Sequence, residues 1–164
     1  MCFRKCLQSC KKQFRASWYM FFFQLPYLPE YLIEMDDFKA FDEGFGKTKN
    51  FSEEDVEAYK YSMCQSGCSG PINYYRAAFS YKDVPSGVFL TKIKAPTLVV
   101  WGTGDVFLLV ETLKGTEDFV EDLTIKYVDG ATHWVQVDGY EDTNKHIREF
   151  LSAHPLEPSL QKPD

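Results

Sequence analysis

Pro96-Thr97-Leu98-Val99-Val100-Trp101-Gly102-Thr103-Gly104-Asp105 decides the architecture. Its first half is a β-branched, apolar run without polar alternation, which is how a strand covered on both faces of a parallel sheet reads. The glycines close it and leave Asp105 in the following turn. Downstream, residues 110–120 read as helix and Leu123 to Val128 as a second strand. Asp129-Gly130-Ala131-Thr132-His133 reads as a loop, and a terminal helix is expected through Thr143, Ile147 and Leu151. Strand, helix, strand, helix is the building unit of an α/β protein. Residues 155–164, with three prolines, read as a frayed tail.

Upstream of Lys92 the grammar is helical. Pro29 suits the first turn of a helix running to Phe38, and Gly44 to Asn50 reads as loop. Ser52 followed by Glu53-Glu54-Asp55 is a helix start, with a hydroxyl cap and acids in the first turn, and Val56, Tyr59 and Met63 follow at helical intervals. Gly67 to Pro71 breaks it, and a third helix carries Ile72, Tyr75, Ala78 and Phe79 to about Tyr81.

Composition sets the outer bounds. With 164 residues, 45% hydrophobic and 26% charged, the chain is long enough for a core without disulfide staples. A formal charge of −6 argues against nucleic acid as a partner. The longest apolar stretch, Trp18 to Leu25, is too short to span a bilayer, and no signal-peptide core is present. Residues 1–16 carry five cations and no acid, leaving 13 basic against 24 acidic residues in the rest. Phe3, Leu7, Cys10 and Phe14 recur among those cations at helical spacing, so this opening reads as a basic amphipathic helix suited to an anionic membrane surface or to solvent. The five cysteines, at 2, 6, 10, 64 and 68, form no CxxC and complete no ligand set with histidine. Reduced thiols, no disulfide framework and no metal site are expected; the N-terminal cysteines beside basic residues are open to palmitoylation.

Two consecutive strand-end loops carry Asp105 and His133, 28 residues apart, enough for one crossover, so the side chains can meet at one edge of the sheet. An acid holding the Nδ1 proton of an imidazole is the orienting half of a hydrolase triad. Taken on these residues alone, structural roles in a glycine turn and a loop are the stronger reading, since fold alone does not give function. His146 and His154 read as surface residues, and Gly102-x-Gly104 as a sharp turn, since a dinucleotide fingerprint needs a third glycine. Trp18-Tyr19-Met20-Phe21-Phe22-Phe23 exceeds what one helix face can bury, so part of it should line a cavity or pack on other material. Tyr74 and Tyr75 form a second aromatic pair whose hydroxyls, if buried, need partners.

Four strings taken in order carry a resemblance. Trp18 to Pro26, Ser69-Gly70-Pro71-Ile72-Asn73-Tyr74-Tyr75-Arg76, Pro96 to Asp105, and Ala131-Thr132-His133-Trp134 resemble the epoxide hydrolases of the α/β-hydrolase fold, from about residue 15 to 152. The resemblance implies a helical lid followed by the C-terminal portion of the α/β core. Residues 1–16 are then a basic, cysteine-bearing segment, 17–92 the lid, 93–154 the core portion and 155–164 the tail. It implies that Tyr19 and Tyr75 hydrogen-bond the epoxide oxygen, that Asp105 and His133 are the acid and base, and that Met20, Phe22 and Trp134 line an apolar substrate pocket. No cofactor and no metal enter the family's chemistry, and the substrate it implies is a small hydrophobic epoxide. Location by resemblance is cytoplasmic or at the endoplasmic reticulum membrane.

The family's nucleophile is an aspartate in a His-Asp-Trp-Gly-like elbow, and no such string occurs in the chain. The sequence therefore reads as the second half of an enzyme, a fragment or shortened isoform, in which turnover is not expected and the open sheet edge favours self-association. The alternatives are a non-catalytic binding or interaction protein built from the same fold, and a haloalkane dehalogenase-like hydrolase, against which the two tyrosines weigh.

Overall fold

The two expected strands form. The structure, a computed structural model describing residues 11–45, 48, 50–80 and 91–155, places β1 (Thr97–Gly102) parallel to β2 (Leu123–Val128). The register runs from Thr97 opposite Leu123 to Gly102 opposite Val128, so both strands end on one rung and their following loops begin side by side. A parallel bridge between Ile93 and Val120 extends the pairing ahead of both strands. The crossover differs from the expected helix: it holds two short 3-10 turns, Val110–Leu113 and Thr116–Asp118. Gly115 between them takes φ 86°, a left-handed conformation that interrupts any continuous helix.

The basic opening to Cys10, residues 81–90 with the expected end of the third helix, and the tail beyond Pro155 lie outside the described residues. Five helices fill the stretch from 11 to 80: α1 (Lys11–Ala16), α2 (Trp18–Phe22), α3 (Leu28–Phe45), α4 (Glu53–Ser66) and α5 (Ser69–Ser80). In α1 the buried face is not the one that the apolar spacing marks. Phe14 is exposed, whereas Gln13 and the following Ser17 are wholly buried. The aromatic segment splits as a single helix face requires, with Met20 buried and Trp18 and Phe21 in solvent.

Pro29 does stand in the first turn of α3, but the helix is kinked. Asp36, Asp37 and Phe38 take φ of 51°, 56° and 58°. Aspartate tolerates that region through local hydrogen bonding, whereas a phenylalanine there is strained. The kink turns Phe38 into a small core with Cys68 and Ile72, against which Phe23, Ile33, Phe41 and Met63 pack. Burial pushes the Cys68 thiol up to about 11, reinforced by Glu34 and Glu30. Cys64 is exposed, so the two thiols do not share a face.

Ser52 caps α4 as its spacing predicts. Its hydroxyl accepts from the Asp55 N–H at 3.1 Å, and the Asp55 carboxylate accepts from the Ser52 N–H at 2.9 Å. The break before α5 is Gly67, at φ 73°, and Cys68; Pro71 lies inside the first turn of α5, where its missing N–H costs nothing.

After β2 come a short α6 (Val135–Asp138) and α7 (Tyr140–Ala153), which packs on both strands. Its inner face is Thr143, His146 and Phe150, while Ile147 and Leu151 are exposed. Steps of four residues drift about 40° each around a helix, so the row from Thr143 to Leu151 winds off the contact line. Alternating steps of three and four stay on it. Among the described residues no helix is long and apolar enough to cross a membrane.

Candidate active site

Glycine makes the site possible by letting two loops touch. A methyl group on Gly102 would overlap the carbonyl oxygens of Ala131 and Thr132, and one on Gly104 would press on Ala131 O at 3.1 Å. Neither glycine has a positive φ, so close approach rather than sharp turning explains the pair. Thr103 then ties the loops together. Its hydroxyl donates to Asp129 at 3.0 Å and accepts from the Gly130 N–H at 2.8 Å, while the Gly104 N–H donates to Ala131 O at 2.9 Å.

Across this junction Asp105 Oδ2 lies 2.8 Å from His133 Nδ1. An ionised carboxylate only accepts, so Nδ1 carries the proton, and in the neutral imidazole this leaves Nε2 as the acceptor. The other carboxylate oxygen of Asp105 accepts from the N–H groups of Phe107 at 2.8 Å and Leu108 at 2.9 Å. Burial pushes this carboxyl up. The hydrogen bonds from His133, Leu108 and Phe107 outweigh it and hold the group below the usual carboxylate range. On the other side, Asp138 accepts from both the N–H and the hydroxyl of Thr132, fixing the residue before His133.

Tyr19 of α2 and Tyr75 of α5 meet edge to face with ring centroids 5.7 Å apart. Gln24 holds their helices together by donating to the carbonyls of Met20 at 2.9 Å and Tyr75 at 3.2 Å. Arg76 does the same with more bonds. It forks onto Glu30 at 2.6 and 3.0 Å and donates to the carbonyls of Phe23 and Leu25. Those bonds hold the Glu30 carboxyl below its ordinary value. Burial, then Tyr75 and Asp105, push the Tyr19 phenol up to about 12. Tyr74 points to solvent, so only one of the adjacent tyrosines joins the site.

A row of rings links the tyrosines to the imidazole. Tyr19 touches Phe107 at 5.7 Å, Phe107 touches His133 at 5.4 Å, and His133 touches Trp134 at 5.5 Å. Of the three expected pocket residues, Trp134 is in this row and continues into Phe45 and Phe51. Met20 is buried, and Phe22 sits one ring away from the row, against Trp18 and Phe23. His146 and His154 stand apart, half-buried near Glu149 and Asp122. Among the described residues no group of three His, Cys, Asp or Glu side chains is placed to hold a metal.

Sequence reasoning missed Phe107 and Gln13. Phe107 follows the acid by two residues and reads as ordinary loop. Gln13 lies between a lysine and a phenylalanine in a basic helix, a setting that reads as solvated.

No family model matches the chain. It is 41% identical over 161 residues to epoxide hydrolase 1 of Caenorhabditis elegans, covering 93% of this chain and 39% of that protein. It is 36% identical over 149 residues to human epoxide hydrolase 4, covering 85% and 40%. Among solved structures, an epoxide hydrolase of Bacillus megaterium in complex with an inhibitor superposes with TM-score 0.78 at 26% identity, over 90% of this chain and 55% of that one. Epoxide hydrolase A of Mycobacterium thermoresistibile superposes with TM-score 0.76 at 19% identity, which speaks to fold. The chain thus spans about two fifths of the length of the curated relatives it matches.

Proposed function

The chain belongs to the epoxide hydrolases of the α/β-hydrolase superfamily, and from that premise we propose that it carries the oxygen-binding and water-activating part of an epoxide-hydrolysing site. The supporting observation is the continuous row from Tyr75 and Tyr19 through Phe107 to His133 and Asp105, which sets two phenols and an oriented imidazole along one apolar wall.

Each group has a chemical task. Tyr19, with its phenol held protonated far above neutral pH, and Tyr75 donate to the epoxide oxygen as the ring C–O bond breaks and that oxygen takes the electron pair. The carboxylate that attacks the ring carbon in the complete family is not among these 164 residues. His133 takes a proton from water through Nε2, and that water cleaves the ester to release a vicinal diol. Asp105 holds the imidazole in the required tautomer and steadies it once it is charged. Met20 and Trp134 give the wall its apolar character, suited to a hydrophobic epoxide.

The test is to incubate the purified chain with a styrene-type epoxide, follow diol formation and inspect the intact mass. No turnover above buffer and no alkylated adduct are expected, because covalent catalysis needs a nucleophile fixed within reach. The corresponding diol should still shift the ring resonances of Tyr19 and Tyr75, and Tyr19→Phe should weaken that binding. Turnover lost in His133→Ala would mean that the chain supplies its own nucleophile or a water-only route. An unperturbed tyrosine spectrum would sink the oxygen-binding role.

One observation favours an interaction role alongside this. Among the described residues each strand pairs only with the other, so both outer edges are open, and Trp18, Tyr27 and Tyr31 project into solvent. Unpaired edges and apolar patches recruit further chains. Sedimentation should show concentration-dependent association; a strict monomer with one cooperative thermal transition would refute it.

A further inference from the structure

We propose that Gln13 is a positioning residue that sets the geometry of the Asp105–His133 pair from outside the sheet. The inference rests on reading that pair as the acid and base. Gln13 is 0% exposed, and its amide is used at both ends. Nε2 donates to the Phe107 carbonyl at 2.8 Å and to Ser17 Oγ at 2.9 Å, and Oε1 accepts from the Leu109 N–H at 2.9 Å. It thus grips two peptide groups of one loop, 94 and 96 residues away in sequence.

What that loop does gives the grip its meaning. Phe107 and Leu108 supply the two N–H groups that hold the second oxygen of Asp105, and the Phe107 ring lies between Tyr19 and His133. The peptide chain from 107 to 109 is therefore bonded alternately to the acid and to Gln13: Phe107 N–H to Asp105, Phe107 C=O to Gln13, Leu108 N–H to Asp105, Leu109 N–H to Gln13. The Leu108 carbonyl accepts from Trp101 Nε1 at 3.2 Å, which fixes the loop to β1 as well. Burying an amide is costly unless its bonds are met, and here three are. The same contacts place α1, and α2 with Tyr19 directly after it, against the acid loop. Gln13 therefore couples the oxygen-binding tyrosine to the acid that orients the base.

The experiment uses the isotopically labelled 164-residue chain, with Gln13→Leu as the variant and Ser17→Ala as the control that removes only the local bond. Amide exchange at Phe107, Leu108 and Leu109 and the Nδ1 proton resonance of His133 are followed by NMR, with the α7 amides reporting that the fold persists. In Gln13→Leu the Phe107 and Leu108 amides should exchange at least about tenfold faster, and the His133 proton signal should be lost, while α7 keeps its protection. If only Leu109 changes, or if Ser17→Ala has the same effect, Gln13 is a local tether and the proposal fails.

Should Gln13→Leu lose α7 protection, Gln13→Glu decides. Its carboxylate keeps the acceptor for Leu109 and loses the donor to Phe107; protonation at lower pH restores an O–H donor. Return of the His133 signal as that carboxyl protonates supports the proposal, and no return refutes it. Diol binding by the unmodified chain is measured in parallel. Its absence would count against the functional reading and leave the coupling through Gln13 standing.

Discussion

The loop that carries Asp105 and the loop that carries His133 are built in opposite ways. Asp105 is 8% exposed, and every atom of its carboxylate is committed, one oxygen to His133 and the other to two backbone N–H groups. The His133 side chain is 36% exposed, touched by rings and held by a single strong bond. The neighbouring helices reinforce the contrast: buried Gln13 clamps the loop after Asp105, whereas on the His133 side Asn50, an exposed side chain, donates only to the carbonyls of Val137 and Asp138 in α6, at 2.9 and 3.1 Å. The lesson is that precision is concentrated in the carboxylate, while the imidazole stays accessible and takes its direction from a rigid neighbour, which is the division of labour the proposed roles of acid and base require.

The contrast is broken most severely where the two loops touch. Gly102→Ala forces a methyl into the carbonyls of Ala131 and Thr132, which are backbone and cannot swing aside. It should cost about 3 kcal/mol in chemical denaturation and abolish the His133 Nδ1 proton signal. Full stability would show that the loops yield more readily than their bonding implies.

Next in size is Asp105→Ala, which leaves the Phe107 and Leu108 N–H groups and His133 without their acceptor. A loss of about 2 kcal/mol is expected near neutral pH. Acid should erase the difference. The folded Asp105 carboxyl lies below its ordinary value, so its contribution is complete above about pH 4 and disappears as pH falls through the lowered value. Denaturation curves of the two proteins at descending pH should therefore converge. A gap that stays constant down to strong acid would mean that the side chain acts by packing alone.

Asn50→Ala should have the smallest effect, about 0.5 kcal/mol, with the Asp105–His133 bond intact, because its two bonds are exposed to competing water. A loss as large as that of Asp105→Ala would erase the distinction between the loops.

How much of this is legible in the sequence depends on the range of the interaction. The strands announce themselves because Thr97 to Trp101 is apolar on both faces and Leu123 to Val128 is rich in β-branched and aromatic residues, and the meeting of Asp105 with His133 follows from their spacing at the strand ends. The capping box at Ser52 is readable for a similar reason, since all its partners lie within four residues. Phe38 illustrates the opposite case. The sequence predicts an uninterrupted helix from Pro29 to Phe38, and packing of Phe38 against Cys68 and Ile72 overrides it through three left-handed residues. Gln13 is hidden more deeply, because its burial depends wholly on a loop more than ninety residues away. In α7, periodicity shows a helix but not which row of it faces the sheet, and two half-buried positions, His146 and Phe150, prevail over Ile147 and Leu151.

The shared rung of Gly102 and Val128 has a consequence for how such a molecule can vary. Asp105 and His133 are brought together by strand register and by contacts between their own loops, not by the span of chain that joins them. The outer turn of that span, Lys114 to Phe119, carries the left-handed Gly115 and exposed acids. It is free to lengthen, shorten or accept an inserted reporter while the distance between Asp105 and His133 stays the same. The connection is a tolerant hinge of sequence drift, and a length polymorphism there is silent in a way that a single methyl group on Gly102 is not.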